Sequence, residues 1–269
     1  MNIMQMGAGT LIKEWRQRRR MSQLSLALEA EISQRHLSFV ESGRSAPSRE
    51  MVLRLANQLS VPLRQRNRLL VAAGFAPIYG ERALDDPALK PALTAVEMVL
   101  KGHEPYPAIA VDKGWNMVLA NAAIAPLLDG VEEPALLSPP VNVLRLSLHP
   151  KGLAPRIVNL DEWRTHLIER LRIQIDATAD SALEALEKEL SAYPGRPRAN
   201  GRPYDAAANI AVPLRLRIDG ELLSFISTIT VFGTPLDATL SELAVESFFP
   251  ADAETGEILR RLTASRNVD

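Results

Sequence analysis

Cysteine is missing from this sequence altogether. Its absence excludes disulfides, thiol redox sensing, iron–sulfur clusters and thiolate zinc sites together. Histidine is scarce: His36, His103, His149 and His166 are scattered, without the close spacing that metal ligation needs. No apolar run approaches the roughly 18 residues of a membrane-spanning helix. The opening MNIMQMGAGT lacks the charged-then-apolar order of a secretory signal, so a cytoplasmic protein is expected. Nucleophile elbows, phosphate-cradling glycine loops and metal constellations are missing too. The adjacent acids Asp161 and Glu162 diverge on a helix and do not converge on a substrate. No enzyme is expected.

What is present divides unevenly. The 269 residues suit one large domain or two ordinary ones, and a hydrophobic fraction of 46% supplies a normal core. Residues 1–80 carry 12 Lys and Arg against 5 Asp and Glu, a net charge of +7. Residues 81–269 carry the other 19 and 27, a net charge of −8, which restores the overall −1. A basic head on an acidic body points to a polyanionic partner for the head.

Helical periodicity runs through the head in short pieces. Thr10 is placed to cap LIKEWRQRRR, with Leu11 and Trp15 on one face. Ser22 caps QLSLALEAE, whose apolar positions are Leu24, Ala27 and Leu28; Ser33 caps QRHLSFVES, which stops at Gly43. Ser48 starts REMVLRLANQLS, and LRQRNRLLVAA follows Pro62. Five short helices make an all-α bundle. The second and third are separated by only a few residues around Ala30–Ile32, the layout of a helix-turn-helix whose second helix enters the DNA major groove. Outward Gln34 and Arg35 then have the fork geometry that reads adenine and guanine edges. Trp15, Leu26, Ala27, Leu37 and Val40 are expected in the core, and Glu41 is expected to bond within the bundle, because an anion gains nothing beside phosphate.

SQLSLALEAEISQRHLSFVESGRSAPS resembles the Xre/Cro-repressor class of helix-turn-helix. Ser22, Gln23, Leu26, Ala27, Ile32, Ser33, Leu37, Glu41, Gly43, Pro47 and Ser48 fall in its register. The resemblance implies base-reading positions at Gln34, Arg35 and Phe39. It implies contacts to the DNA backbone from Gln23, Ser33, His36 and Arg44; Ser38 points sideways. The sequence departs from the class at the turn, where Glu31 stands in place of the usual glycine. A non-glycine residue there costs on the order of 1 kcal/mol if φ is positive.

GFAPIYGERALDDP ends the head, and a helix is expected from Ala88 to about Leu100. The body opens with a hairpin, AIAV and WNMVLAN joined at Asp112-Lys113-Gly114. A helix-rich middle follows, including the amphipathic EWRTHLIERLRIQIDAT and DSALEALEKELSAY. The period then changes to 2 over Ile210 to Ile218, Asp219-Gly220 turns the chain, and ELLSFISTITVFG and LSELAVESFFPAD supply two more strands. Two strands, helices and three strands predict an α+β domain, a five-stranded antiparallel sheet with helices on one face. That order resembles a PAS-like sensor. Together with QRHLSFVESGRSAPSREMVLRLA, LLVAAGFAP, WNMVLANAA and LRLSLHPKGLAPRIVN, it resembles the MmyB-like regulators, an Xre-type head before a PAS-like ligand-binding domain. The expected boundaries are 1–76 for the DNA-binding domain, 77–104 for a linker with a helix, 105–252 for the ligand-binding domain and 253–269 for a tail.

The resemblance implies a small apolar effector, a fatty acid among the candidates. Trp115, Met117, Leu146, Leu171, Ile226 and Phe232 either line its pocket or are plain core. Arg145 and His149 either pair with a ligand carboxylate or serve their own loop. The leading expectation is a homodimeric, ligand-responsive transcription regulator on double-stranded DNA, with no membrane partner. The alternative is an antitoxin-like DNA-binding protein whose body binds a protein.

Overall fold

A computed structural model of the chain describes residues 7–195 and 212–266, so Ile210 and the arginines between 196 and 202 lie outside it. The chain divides into two compact units. The first comprises residues 1–83 with 176–179 and 234–241; the second takes 84–175, 180–233 and 242–269.

The first unit opens with α1 (Ala8–Arg18), α2 (Gln23–Glu29), α3 (Gln34–Glu41), α4 (Arg49–Gln58) and α5 (Leu63–Ala72). Three serines start three of them. The hydroxyls of Ser22, Ser33 and Ser48 accept the N–H groups of Ser25, His36 and Met51 at 2.9, 3.1 and 3.2 Å. Each thereby satisfies one of the orphan donors of a helix start. The α1 helix begins earlier than Thr10, with Gly7 as its N-cap. Gly9 explains this early start: a Cβ there would stand 2.0 Å from the Val40 carbonyl oxygen, so the first turn of α1 lies directly on α3. Ile12, Leu26, Leu37, Leu55, Leu69 and Leu70 are fully buried, and Trp15, Ala27 and Val40 join them. The apolar Leu24 and Leu28 are 53% and 69% exposed. The residues that α2 buries are Leu26 and Ala27, as expected.

The second unit continues with α6 (Lys90–Gly102), β1 (Ala108–Val111), β2 (Met117–Ala120), α7 (Ala125–Leu128), α8 (Val143–Leu148), α9 (Leu160–Thr178), α10 (Ser181–Ala192), β3 (Leu214–Ile218) and β4 (Glu221–Val231). After α11 (Ala238–Ser241), which belongs to the first unit, come β5 (Ala244–Pro250) and α12 (Ala253–Arg266). The strands form one antiparallel sheet in the order β2-β1-β5-β4-β3.

Helices lie on both faces of that sheet, where one face was expected. On β1, Ile109 and Val111 enter the large core with Trp163, Leu167 and Leu171 of α9, while Ala108 and Ala110 pack with Val96 and Leu100 of α6. The stretch read as a linker thus ends in a core helix. The stretch read as a tail is also structured. Residues 253–266 are helical, with Ile258 and Leu259 buried and the Thr255 hydroxyl accepting the Ser224 N–H at 3.0 Å. Among the described residues no helix is long and apolar enough to cross a membrane.

Candidate nucleic-acid interface and ligand chamber

The turn between α2 and α3 takes the conformation its pattern requires. Glu31 sits at φ 54°, the left-handed region that glycine occupies most cheaply. Gly43, after α3, has φ 74°. Between these ends α3 buries Leu37 and Val40 and leaves Gln34 and Arg35 exposed. His36, Ser38 and Phe39 are half-buried, and Arg44 is exposed. Phe39 is flanked by two cations, the Arg35 and Arg44 guanidinium carbons lying 5.4 and 6.0 Å from its ring centre. This packing pre-orders both arginines on one side of the helix.

A buried ion pair fixes α3 to the rest of the bundle. Arg16 on α1 donates from Nε and Nη2 to the two Glu41 oxygens at 2.6 and 2.9 Å. Gln23 adds a third bond, from Nε2 to Glu41 Oε2 at 2.8 Å. Burial pushes the Glu41 carboxyl up, but the bonds from Arg16 and Gln23 and the Arg16 charge outweigh it and hold it below the usual range. Gln23, at the first position of α2, is thereby tied to the end of α3. The Ser33 oxygen is used as a cap acceptor, which leaves its O–H free to donate. Gln34, Arg35 and Arg44 share an exposed cationic surface, with Gln23, Ser33 and His36 at the helix starts.

The second unit holds an apolar chamber of about 90 Å³ between the sheet and α8 and α9. Trp115, Met117 and Leu146 line it, as the sequence suggested; so do Trp163, Leu167 and Phe248. Leu171 is fully buried in the same core without reaching the chamber. Ile226 is 40% exposed, and Phe232 packs in the small cluster with α6. Arg145 is taken up by Glu189, to which it donates at 2.8 Å from both Nε and Nη2. His149 packs edge-on against Tyr193, and its Nδ1 accepts the Lys151 N–H at 3.1 Å. Both therefore serve the loop and α10 and lie outside the chamber.

A wider cleft of about 250 Å³ shares two wall residues with this chamber, Trp115 and Glu246. Trp115 stands at φ 65°, unusual for a bulky residue, and is held from several sides. Its N–H reaches the Asp112 carbonyl at 3.1 Å, its carbonyl accepts the Val143 N–H at 2.9 Å, and its indole N–H donates to Gln174 at 2.6 Å. Arg170 of α9 stacks over the ring at 4.7 Å and donates to Glu246 at 3.0 Å. Strained, over-determined residues of this kind cluster at ligand sites. Sequence reasoning passed over Glu246, although a lone acid inside the apolar strand AVESFF was a visible signal. Nearby His166 is pushed below its usual pKa by burial and by the Arg170 charge. Among the described residues no cluster of metal-ligating side chains occurs.

Comparison with known families agrees with this division. A family model described as the MmyB-like transcription regulator ligand binding domain matches residues 93–262, and one described as a helix-turn-helix matches residues 12–65. No curated protein matches the chain.

Proposed function

The chain belongs to the MmyB-like transcription regulators, and from that membership we propose how it works. It is a DNA-binding transcription regulator with a ligand-binding domain. We assign sequence-specific recognition of double-stranded DNA to residues 1–76, with 77–104 as the connection, 105–252 as the ligand-binding domain and 253–269 as its closing segment. Gln34 and Arg35 read base edges in the major groove, Phe39 packs beside them, and Gln23, Ser33, His36 and Arg44 hold the DNA backbone. The observation that carries this reading is an exposed Gln34–Arg35 pair on a capped helix locked by the Arg16–Glu41 bond.

The effector is a small apolar ligand whose tail occupies the chamber. The sheet order β2-β1-β5-β4-β3 with a chamber against its helices supports the PAS-like reading. A long acyl tail, as in a fatty acid, needs more room than about 90 Å³, since a cavity of roughly 150 Å³ is what admits benzene. Binding therefore selects a conformer with a widened chamber. That differential affinity is what changes DNA affinity. The working unit is a cytoplasmic homodimer, because paired heads read paired half-sites.

Selection of bound sequences from a random DNA pool, followed by titration at several salt concentrations, tests this. Enrichment of a symmetric site and a steep fall of affinity with salt are expected. A salt-insensitive association constant overturns the reading.

A further inference from the structure

The chamber of about 90 Å³ and the cleft of about 250 Å³ share a wall, and Trp115 and Glu246 are the residues that line both. Alone the chamber is smaller than the roughly 150 Å³ that admits benzene. Joined, the two volumes exceed the roughly 300 Å³ at which small-molecule sites begin. What holds each shared residue decides which can move. Glu246 is set in mid-sheet, with β5 paired to Ile109 of β1 on one side and Ile229 of β4 on the other. Trp115 lies outside the strands, between the end of β1 at Val111 and the start of β2 at Met117. Its backbone is pinned, because Asp112 Oδ1 accepts the N–H groups of Gly114 and Asn116 at 2.8 Å and Val143 bonds the Trp115 carbonyl. The ring is held from the cleft side. Gln174 accepts its indole N–H at 2.6 Å and Arg170 packs over it, one turn apart on α9, and both line the cleft. Gln174 is itself fixed by donating to the Lys113 carbonyl at 2.8 Å. On the other side lie apolar chamber walls such as Ile109, Met117 and Trp163.

We infer that Trp115 is a gate between two compartments of one ligand site. On binding, the indole swings out of the wall, and an unbranched alkyl chain lies across it with one end in the chamber and the other in the cleft. This rests on the chamber being the ligand site and says how it gains the room it lacks. A fixed backbone with a ring latched on its outer side has the parts such a motion needs. Swinging the ring outward breaks its bond to Gln174. The cleft is open, since its wall residues Ile173 and Ile229 are exposed, so the freed N–H meets water and is not left as a costly unmet donor. The alkyl chain takes the ring's place against the apolar walls. Glu246 does not bar the passage as a lone charge, because Arg170 donates to it at 3.0 Å. Gln174 is the positioning residue that keeps the gate shut.

Calorimetric titration of the full chain with 1-decanol, combined with acrylamide quenching of tryptophan emission, tests this. The three tryptophans, Trp15, Trp115 and Trp163, are all buried. A ligand that fills a closed chamber leaves quenching unchanged or lowers it, whereas an opened gate exposes an indole. Quenching is therefore expected to rise on saturation with decanol. The rise is expected to vanish in Trp115→Phe and to persist in Trp163→Phe, so either variant alone assigns it if the other misfolds. Gln174→Ala, checked for folding by its thermal melt, is expected to bind decanol about fivefold more tightly, the weight of one hydrogen bond removed from the closed state. Decanol binding without a rise in quenching overturns the gate and leaves the chamber as the ligand site, as does a rise that persists in Trp115→Phe. Binding by folded Gln174→Ala no tighter than by the parent overturns the latch. No binding of decanol overturns both the gate and the chamber reading.

Discussion

Arg16 and Glu41 meet in a two-bond fork at 2.6 and 2.9 Å across the first unit, both side chains buried. The pair joins the first helix to the end of the DNA-reading helix, and Gln23 completes it. Removing one partner leaves a buried charge unmatched. Glu41→Ala is expected to destabilise the unit by about 3–5 kcal/mol, measured by urea denaturation. A loss under about 1 kcal/mol sinks this account of what anchors α3.

The same carboxyl predicts a pH dependence. Its pKa in the fold lies below its unfolded value, so its stabilisation is complete above the unfolded value. That stabilisation is lost as pH falls from about 4.3 through the folded value. Denaturation midpoints between neutral pH and pH 3 are expected to fall more steeply for the parent protein than for Glu41→Gln. Parallel curves would assign the acid sensitivity elsewhere.

Arg35→Ala is expected to cost about 1–3 kcal/mol on the selected site and to relax base preference at one position. Fluorescence anisotropy on the site and its single-base variants measures this. Equal weakening on every sequence identifies Arg35 as a phosphate contact instead.

Arg44→Ala is expected to weaken all sequences alike and to lower the salt slope by about one unit. A changed base preference with an unchanged slope contradicts the backbone role.

Glu31 adopts a left-handed φ without glycine's freedom. Glu31→Gly is expected to raise the stability of the unit by up to about 1 kcal/mol, read from the thermal midpoint. A lower midpoint shows that the Glu31 side chain contributes more than its backbone costs.

Leu146→Trp is expected to fill the chamber and abolish ligand binding, at an overpacking cost of about 1–3 kcal/mol. DNA binding without ligand should persist. Native mass spectrometry of the purified protein gives the companion test: a retained small apolar molecule supports the sensor reading, a retained protein the antitoxin-like one.

The head was legible because its determinants are local. Ser22, Ser33 and Ser48 cap the next turn of their own chain, and the charges of residues 1–80 need only counting. The strands of the body were readable from alternation, yet Ile226 and Phe232 were assigned to a pocket they do not reach. Alternation says that two faces differ, and nothing about which helix covers each. Arg145 looked available until Glu189, 44 residues away, was seen to hold it.

The sequence alone determined the helix starts at Ser22, Ser33 and Ser48, the strand periods, the cationic head and the outward chemistry of Gln34 and Arg35, because these depend on neighbours within a few positions. Only the tertiary structure decided the rest. The Arg16–Glu41 lock joins residues 25 positions apart, the wall of Trp115, Arg170 and Glu246 spans 131, and α6 packs on the second sheet face with Leu243 and Val245 from the far end of the chain. Burial, which makes those contacts strong, is a property of the packed chain and is absent from any local stretch.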